Sequence, residues 1–372
     1  MKNSISILLP DLRGGGAERV AVNLANGFFQ RGYAVEMVLM SATGEFLSDL
    51  LPGIRVVDLQ VRRLRGLILP LVRYLRQAKP DALLACMWPL TVIAPWARVL
   101  ARAHTRIVIA EHTTWSRAKI TSSLVTRWLA RLTMRFTFPW VDGVVAVSQG
   151  VADDLANFGR IDRNSVTVIY NPVVGDLKPP SNEALAPLGW WCGTHRRVLA
   201  VGTLKPIKDY SNLLNAFAKL CEKANTRLLI LGEGGCRPAL VEQARKLGLQ
   251  DKIFMPGFVK DLAPYYEHAD LFVLSSTGEG LPTVIIEALS AGTPVVSTDC
   301  PSGPREILVD GAFGTLVPLG DSVALAAAMQ ESLESVHDSG AIVARAQDFS
   351  IDKAVSRYLE LLFPKTPKGS NV

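Results

Sequence analysis

Along this chain, short apolar runs rich in β-branched residues alternate with stretches whose apolar positions recur every three to four residues. Val198 to Val201, Leu228 to Leu231 and Val295 to Ser297 are apolar or small without polar alternation, the pattern of strands covered on both faces. In the first half the pattern predicts strands at Ser4 to Leu9, Ala34 to Met40, Arg55 to Leu59, Ala82 to Cys86, Ile107 to Ala110, Gly143 to Val147 and Val166 to Ile169. In the second it predicts Arg197 to Val201, Arg227 to Leu231, Lys252 to Met255, Leu271 to Leu274 and Pro294 to Ser297. Strands separated by helical patterns build βαβ units, so the fold class is α/β with parallel sheets.

Asn171-Pro172 and the stretch holding Pro179-Pro180, Ser181 and Pro187 read as a linker. The expected division is 1–175, an N-terminal Rossmann-like domain, and 176–349, a C-terminal one. Helical periodicity returns at 350–364, where Ala354, Tyr358, Leu361 and Leu362 share a face, a helix expected to pack back toward the first domain. The Pro/Lys/Gly/Ser tail 365–372 is expected to be disordered.

Composition narrows the class. The five cysteines are far apart and show no C-x-x-C spacing, which favours a reduced cytosol and no structural zinc. The opening MKNSISILLP is too short in apolar residues for a signal peptide. The uncharged run Ala82 to Ala97 contains Pro89 and Pro95 and is shorter than the roughly 20 residues that span a bilayer, so it reads as a strand and a helix starting near Pro89. Charge is uneven: residues 1–175 carry 21 Lys/Arg against 12 Asp/Glu, a net +9, while the remainder carries 19 against 22, a net −3. The excess lies between Arg62 and Arg135, with 14 basic residues against Asp81 and Glu111, and points to an anionic partner or to a solvated basic face.

Four segments carry candidate chemistry. Gly14-Gly15-Gly16-Ala17-Glu18-Arg19 follows the first strand and opens a helix, where backbone without Cβ atoms and a helix N-terminus favour an anion or simply a tight turn. Gly202-Thr203-Leu204-Lys205-Pro206-Ile207-Lys208 places two lysines at the carboxyl edge of the second sheet, where they neutralise a diphosphate or remain solvated. Gly232-Glu233-Gly234-Gly235 leaves the next strand without bulky side chains, as close approach of a nucleotide or a flexible loop requires. Gly278-Glu279-Gly280-Leu281-Pro282-Thr283 starts another helix, with Pro282 in its first turn and Glu287 two turns beyond Glu279. Two carboxylates so spaced either flank an extended ligand or are an N-terminal Glu favoured by the helix dipole and an exposed one.

Together with Val147-Ser148-Gln149-Gly150 and Tyr170-Asn171-Pro172, these segments occur in one order over nearly the whole chain, which resembles the family 4 retaining glycosyltransferases of the GT-B fold. That resemblance implies two doubly wound Rossmann-like domains facing across a cleft, the first binding acceptor and the second a nucleotide-diphosphate sugar. It implies that Glu279 contacts the donor sugar hydroxyls, Glu287 the ribose hydroxyls, and Lys208 with the amides of Leu281 to Thr283 the diphosphate. Gly15 and Gly16 would cap the diphosphate, and His112, following the strand Arg106 to Ala110, would approach the reacting carbon; a lone His is otherwise structural. Thr203 departs from the family, where many relatives carry an Arg that helps hold the phosphates. Either Lys205 substitutes or the donor is gripped differently, with Thr203, Lys205, Gly232, Gly234, Gly280, Leu281, Pro282 and Thr283 as further donor contacts.

The implied reaction is transfer with retention, by same-face attack of the acceptor hydroxyl while the departing diphosphate takes its proton. The absence of a D-x-D sequence agrees with metal-independent members, so no cofactor or metal is expected. Leu124 to Val141 places Arg127, Arg131 and Arg135 on one stripe and Trp128, Leu132 and Phe136 on the adjacent one. Such a helix lies on an anionic membrane surface or packs on the sheet with snorkelling arginines. Thr298 to Glu306 looks like the segment of relatives that build surface glycans. The expected partners are a nucleotide-sugar donor, a polyprenyl-diphosphate-linked glycan in bacterial surface polysaccharide assembly and, through Arg62 to Arg135, the cytoplasmic face of the plasma membrane. A sugar-nucleotide epimerase of the same fold is the alternative, and a nucleic-acid-binding protein a third reading that gives the two glutamates no purpose.

Overall fold

The computed structural model describes residues 2–117, 123–175, 190–191 and 193–364. The chain forms two compact units, Met1–Gly175 with Phe349–Val372, and Asp176–Asp348.

The sheet of the first unit is parallel throughout, in the order β3-β2-β1-β4-β5-β6-β7. Its strands are β1 Ser4–Leu9, β2 Ala34–Leu39, β3 Arg55–Asp58, β4 Ala82–Cys86, β5 Arg106–Glu111, β6 Gly143–Ala146 and β7 Val166–Val168. The crossovers are α1 Gly16–Gln30, α2 Ile68–Ala78, α3 Leu90–Ala101, α4 Leu124–Thr137 and α5 Gln149–Gly159. Because successive side chains of a strand alternate faces, Ile5, Ile7 and Leu9 pack with Val20, Leu24 and Phe28 of α1, while Ser6 points the other way and hydrogen-bonds Tyr74 Oη at 2.6 Å.

The second unit has a parallel sheet in the order β10-β9-β8-β11-β12-β13, made of β8 Arg196–Val201, β9 Thr226–Leu231, β10 Ile253–Gly257, β11 Leu271–Leu274, β12 Val295–Thr298 and β13 Thr315–Val317. Its helices are α6 Tyr210–Cys221, α7 Arg237–Lys246, α8 Ala263–His268, α9 Thr283–Ser290, α10 Pro304–Ile307, α11 Ser322–Glu334 and α12 Ser339–Ala346. β13 has no counterpart among the predicted strands: three residues at a sheet edge show too little pattern to read. The other strand boundaries move by a residue or two.

The chain then returns to the first unit as α13, Ile351–Leu362. Ser350 Oγ caps it by accepting from Lys353 N, and Ala354, Val355, Tyr358 and Leu362 are buried in the core beside α1.

α4 leaves much of its apolar surface outside. Ala130, Met134 and Thr137 face inward, and Arg127 and Arg131 lie over the ring of Phe158 in α5, at 5.8 and 5.1 Å. Arg131 Nε also donates to Phe158 O at 3.2 Å. The residues left outside are Leu124, Val125, Thr126, Trp128, Leu129, Arg135 and Phe136. Arg127 and Arg131 are therefore packing residues, held by cation–π contacts, while of the predicted apolar stripe Trp128 and Phe136 are exposed and Leu132 is half-buried.

Candidate active site

In both sheets the strand order reverses beside the first strand of the unit, at β1/β4 and at β8/β11. Open α/β sheets bind ligands beyond the carboxyl ends of strands at such a point. In the second unit the loops leaving β8 and β11 carry the predicted lysines and Glu279.

Pro206–Lys208 is a single 3-10 turn, and three hydrogen bonds clamp it to the β11 loop: Ser275 Oγ donates to Lys208 O at 2.8 Å, and Thr277 donates to Ile207 O from its N at 2.8 Å and from Oγ1 at 3.1 Å. That clamp brings Lys208 Nζ to 2.6 Å from Glu279 Oε1, with both side chains mostly shielded. Asp209 then takes a left-handed conformation and caps α6, its carboxylate accepting from Asn212 N.

α9 begins at Thr283, with Pro282 at the N-cap position, one residue earlier than the predicted first-turn place. The loop before it is braced from below. Ser302 Oγ donates to Gly280 O at 2.7 Å, and Gly303, at φ +92°, would place a Cβ 2.4 Å from Pro282 Cδ. Glu287 lies on α9, where Tyr266 Oη donates to its Oε2 at 2.9 Å. Tyr266 is buried, and burial together with Glu287 pushes its hydroxyl far above the ordinary phenol range. Tyr210, also buried, donates to Gly202 O at 3.1 Å and is raised by burial and by the charge of Glu279. Cys300 is pushed up to about 12 by burial and by Glu279. Lys208, Glu279, Tyr210, Tyr266 and Glu287 thus form one electrostatic neighbourhood.

The glycines of the β9 loop have a packing reason of their own. A Cβ at Gly232 would sit 2.1 Å from Gly202 O and one at Gly234 2.4 Å from Leu204 O, because Leu204 N donates to Glu233 O and Cys236 N to Leu204 O. The loops leaving β8 and β9 pack backbone on backbone, and that packing excludes a side chain without any ligand. Lys205 and Thr203 are both exposed, and Lys205 forms no ion pair among the described residues.

In the first unit Gly15 is the N-cap of α1 and Gly16 its first residue. The ordinary φ of −114° at Gly15 does not require glycine, and an added Cβ would meet only the movable carboxylate of Glu18. His112 follows β5, with its Nε2 buried and no hydrogen-bond partner for that atom; burial pushes the imidazole down to about 4, which keeps it neutral at physiological pH. Beside it is a residue that the sequence marked only as a neighbour. Glu111 is fully buried and accepts from Thr91 Oγ1 at 2.7 Å, and burial raises it to about 7. Trp115 packs edge-on against Trp88 and stacks on Phe158. Among the described residues, no three His, Cys, Asp or Glu side chains cluster as metal ligands, and no helix is long and apolar enough to cross a membrane.

The family described as Glycosyltransferase Family 4 matches residues 14–176, and Glycosyl transferases group 1 matches 195–335. The chain is 28% identical to the N-acetylgalactosamine-N,N'-diacetylbacillosaminyl-diphospho-undecaprenol 4-alpha-N-acetylgalactosaminyltransferase of Campylobacter jejuni, over 89% of this chain and 90% of that protein. It is 27% identical to the lipopolysaccharide core biosynthesis glycosyltransferase LpsE of Rhizobium meliloti, over 94% and 96%. Anabaena HepE, solved in complex with UDP and glucose, superposes with a TM-score of 0.80 at 21% identity, over 97% of this chain and 99% of that one. The two matched families, in the order predicted and on two doubly wound sheets, establish that this chain belongs to the family 4, group 1 glycosyltransferases with the GT-B fold.

Proposed function

We propose that this glycosyltransferase moves a sugar, with retention, from a nucleoside-diphosphate sugar to a hydroxyl of a polyprenyl-diphosphate-linked glycan in bacterial surface polysaccharide assembly. The observation that carries the donor half is the 2.6 Å Lys208–Glu279 pair, set beside the start of the helix that bears Glu287. In this reading the incoming diphosphate draws Lys208 toward itself, and the amides at Leu281 to Thr283 take the charge that grows on the leaving group. Glu279, released from the lysine, accepts from the sugar hydroxyls, and Glu287 accepts from the ribose. Gly280 and Pro282 shape that loop, while Thr203 and Lys205 flank the phosphates. Gly232 and Gly234 support the site by keeping two loops in contact. Gly15, Gly16 and His112 keep the roles that the resemblance gives them. No metal is invoked, since Lys208 and the helix N-terminus supply the positive field.

The acceptor class rests on the relatives: the Campylobacter protein is named for an undecaprenyl-diphosphate substrate, and the Rhizobium protein for lipopolysaccharide core synthesis. Uridine diphosphate is the first nucleotide to try because HepE holds it. The enzyme would work at the inner face of the plasma membrane, drawn there by the basic region Arg62 to Arg135.

A thermal-shift series with nucleoside diphosphates and their sugars tests the donor half. One diphosphate at about 100 times its Kd adds about 2.7 kcal/mol to the stability of the parent, and Glu287→Ala abolishes that gain. If no nucleoside diphosphate at millimolar concentration raises Tm, the donor site is misassigned. Conversion of the donor sugar in the absence of any acceptor would replace the transferase with the epimerase.

A further inference from the structure

The outward face of α4 is the wrong kind of surface for water. A helix that crosses over a sheet buries its apolar stripe and exposes its charges. Here Arg127 and Arg131 are turned against Phe158, while Leu124 is 84% exposed and Trp128 59%. Val125, Leu129 and Phe136 are exposed with them. The patch continues onto neighbouring elements. Trp96 of α3 stacks on Trp140 at 6.4 Å and donates from Nε1 to Thr137 Oγ1 at 3.3 Å, with both indoles still about half exposed. Val99 and Leu100, also on α3, are exposed as well. Three of the seven tryptophans of the chain therefore stand on one outer surface.

From this arrangement we infer that the α3–α4 face, with Trp140, is inserted into the interfacial layer of a lipid bilayer. The contact is apolar burial by indole and leucine side chains, with arginines around it as the secondary attraction. Tryptophan suits that layer because its ring is apolar and its N–H stays wet. Charge separates a bilayer from a second copy of the chain. Arg102 and Arg135 are exposed next to the patch, Glu111 is buried, Asp142 beside Trp140 is paired with Arg98 at 2.6 Å, and Asp81 is exposed but accepts from Ser4 N and Oγ. Anionic headgroups complement such a rim, whereas an identical face would set arginine against arginine. The inference is independent of the donor chemistry proposed above, since stabilisation by nucleotide tests that reading and vesicle binding tests this one.

The experiment uses the full chain with vesicles of phosphatidylcholine alone and of phosphatidylcholine with phosphatidylglycerol, at low salt and at about 1 M, where the Debye length is about 3 Å. Binding to both vesicles is expected, stronger on the anionic one, with a blue shift of tryptophan emission and retention of most binding at high salt. Trp128→Ser with Leu129→Ser lowers partitioning at least tenfold, leaving Tm and nucleotide stabilisation unchanged because both side chains are exposed. Val323→Ser, at an exposed apolar position of α11, changes nothing. Binding that salt abolishes and the double substitution leaves intact would mean that charge alone holds the protein. Concentration-dependent dimers of the parent without vesicle binding, lost in the double variant, would assign the face to a second copy.

Discussion

At the carboxyl edges of the two sheets stand two acids held in opposite ways. Glu279 in the second unit has a cation at 2.6 Å, Lys208, in a loop clamped to its own. Glu111 in the first has no cation among the described residues: a hydroxyl at 2.7 Å meets it, it is fully buried, and desolvation moves it up to about 7. Beside it His112 is shifted the other way, down to about 4, by the same cause. One edge keeps charge and arranges partners for more; the other suppresses charge by excluding water. Two sheets of one topology thus carry two different edges, one with a paired charge and one with buried, neutral groups.

The largest test of that contrast is Lys208→Ala. If the second edge works by its field, kcat at saturating donor falls about 10²- to 10³-fold, the range for loss of one preorganised group on a developing anion. A loss below fivefold would remove the lysine from the charge-bearing machinery. The substitution leaves Gly232 and Gly234 in place, so donor-independent Tm separates loss of the field from disruption of the loops.

On the neutral edge the readout is stability against pH. Glu111 is raised in the folded chain from about 4.5 to about 7, so the unfolded chain binds fewer protons between those values, and this residue makes stability fall as pH rises through the window. His112 is lowered from 6.5 to about 4, so the unfolded chain binds more protons there, and its contribution is present above 6.5 and lost as pH falls toward 4. Each slope is worth on the order of 3 kcal/mol across its window, and between about 4.5 and 6.5 they oppose one another. Glu111→Gln therefore leaves stability rising with pH from 4 to 6.5, and His112→Gln leaves it falling from 4.5 to 7. Denaturant titrations that give both variants the same sign of slope would show that the two residues do not share a dry edge.

What the sequence revealed, and what it hid, divides along the same line. The strands were legible because a doubly covered strand is apolar at every position, and only β13, three residues long, lacked room for a pattern. In the second unit a charged edge needs particular residue types in contiguous loops, so Gly202 to Lys208 and Gly278 to Thr283 could be read as written. Their braces could not. Ser302 meets Gly280 from 22 residues away and Tyr266 meets Glu287 from 21, and nothing local distinguishes that tyrosine from an ordinary core aromatic. Gly232 and Gly234 announce a missing Cβ but not what fills the space, which is backbone of the neighbouring loop. Glu111 was visible beside His112, yet its importance lies in burial, which spacing does not record. In α4 the two stripes are adjacent by periodicity, and Phe158, on another helix, decides which one turns inward.

The smallest expected effect concerns how the charged edge holds its second acid. Tyr266 is a positioning residue in this scheme: its hydroxyl donates to Glu287 Oε2 at 2.9 Å, and its carbonyl accepts from Thr293 Oγ1 at 2.7 Å, which fixes the ring's own backbone. Tyr266→Phe removes one hydrogen bond to a charged group, in the range of 1.5–3 kcal/mol at most, and leaves the ring's packing against Phe272 in place. Part of that loss falls on folding, so about 1 kcal/mol remains to weaken the grip of Glu287 on a ribose, a five- to tenfold rise in the Kd for uridine diphosphate. Because Glu287 contacts nucleotide and not the reacting carbon in this reading, kcat is expected to stay within twofold of the parent. A fall in kcat with unchanged nucleotide affinity would place Glu287 nearer the chemistry than the proposed arrangement allows, and would move the distinction between binding and field from the two sheet edges into α9 itself.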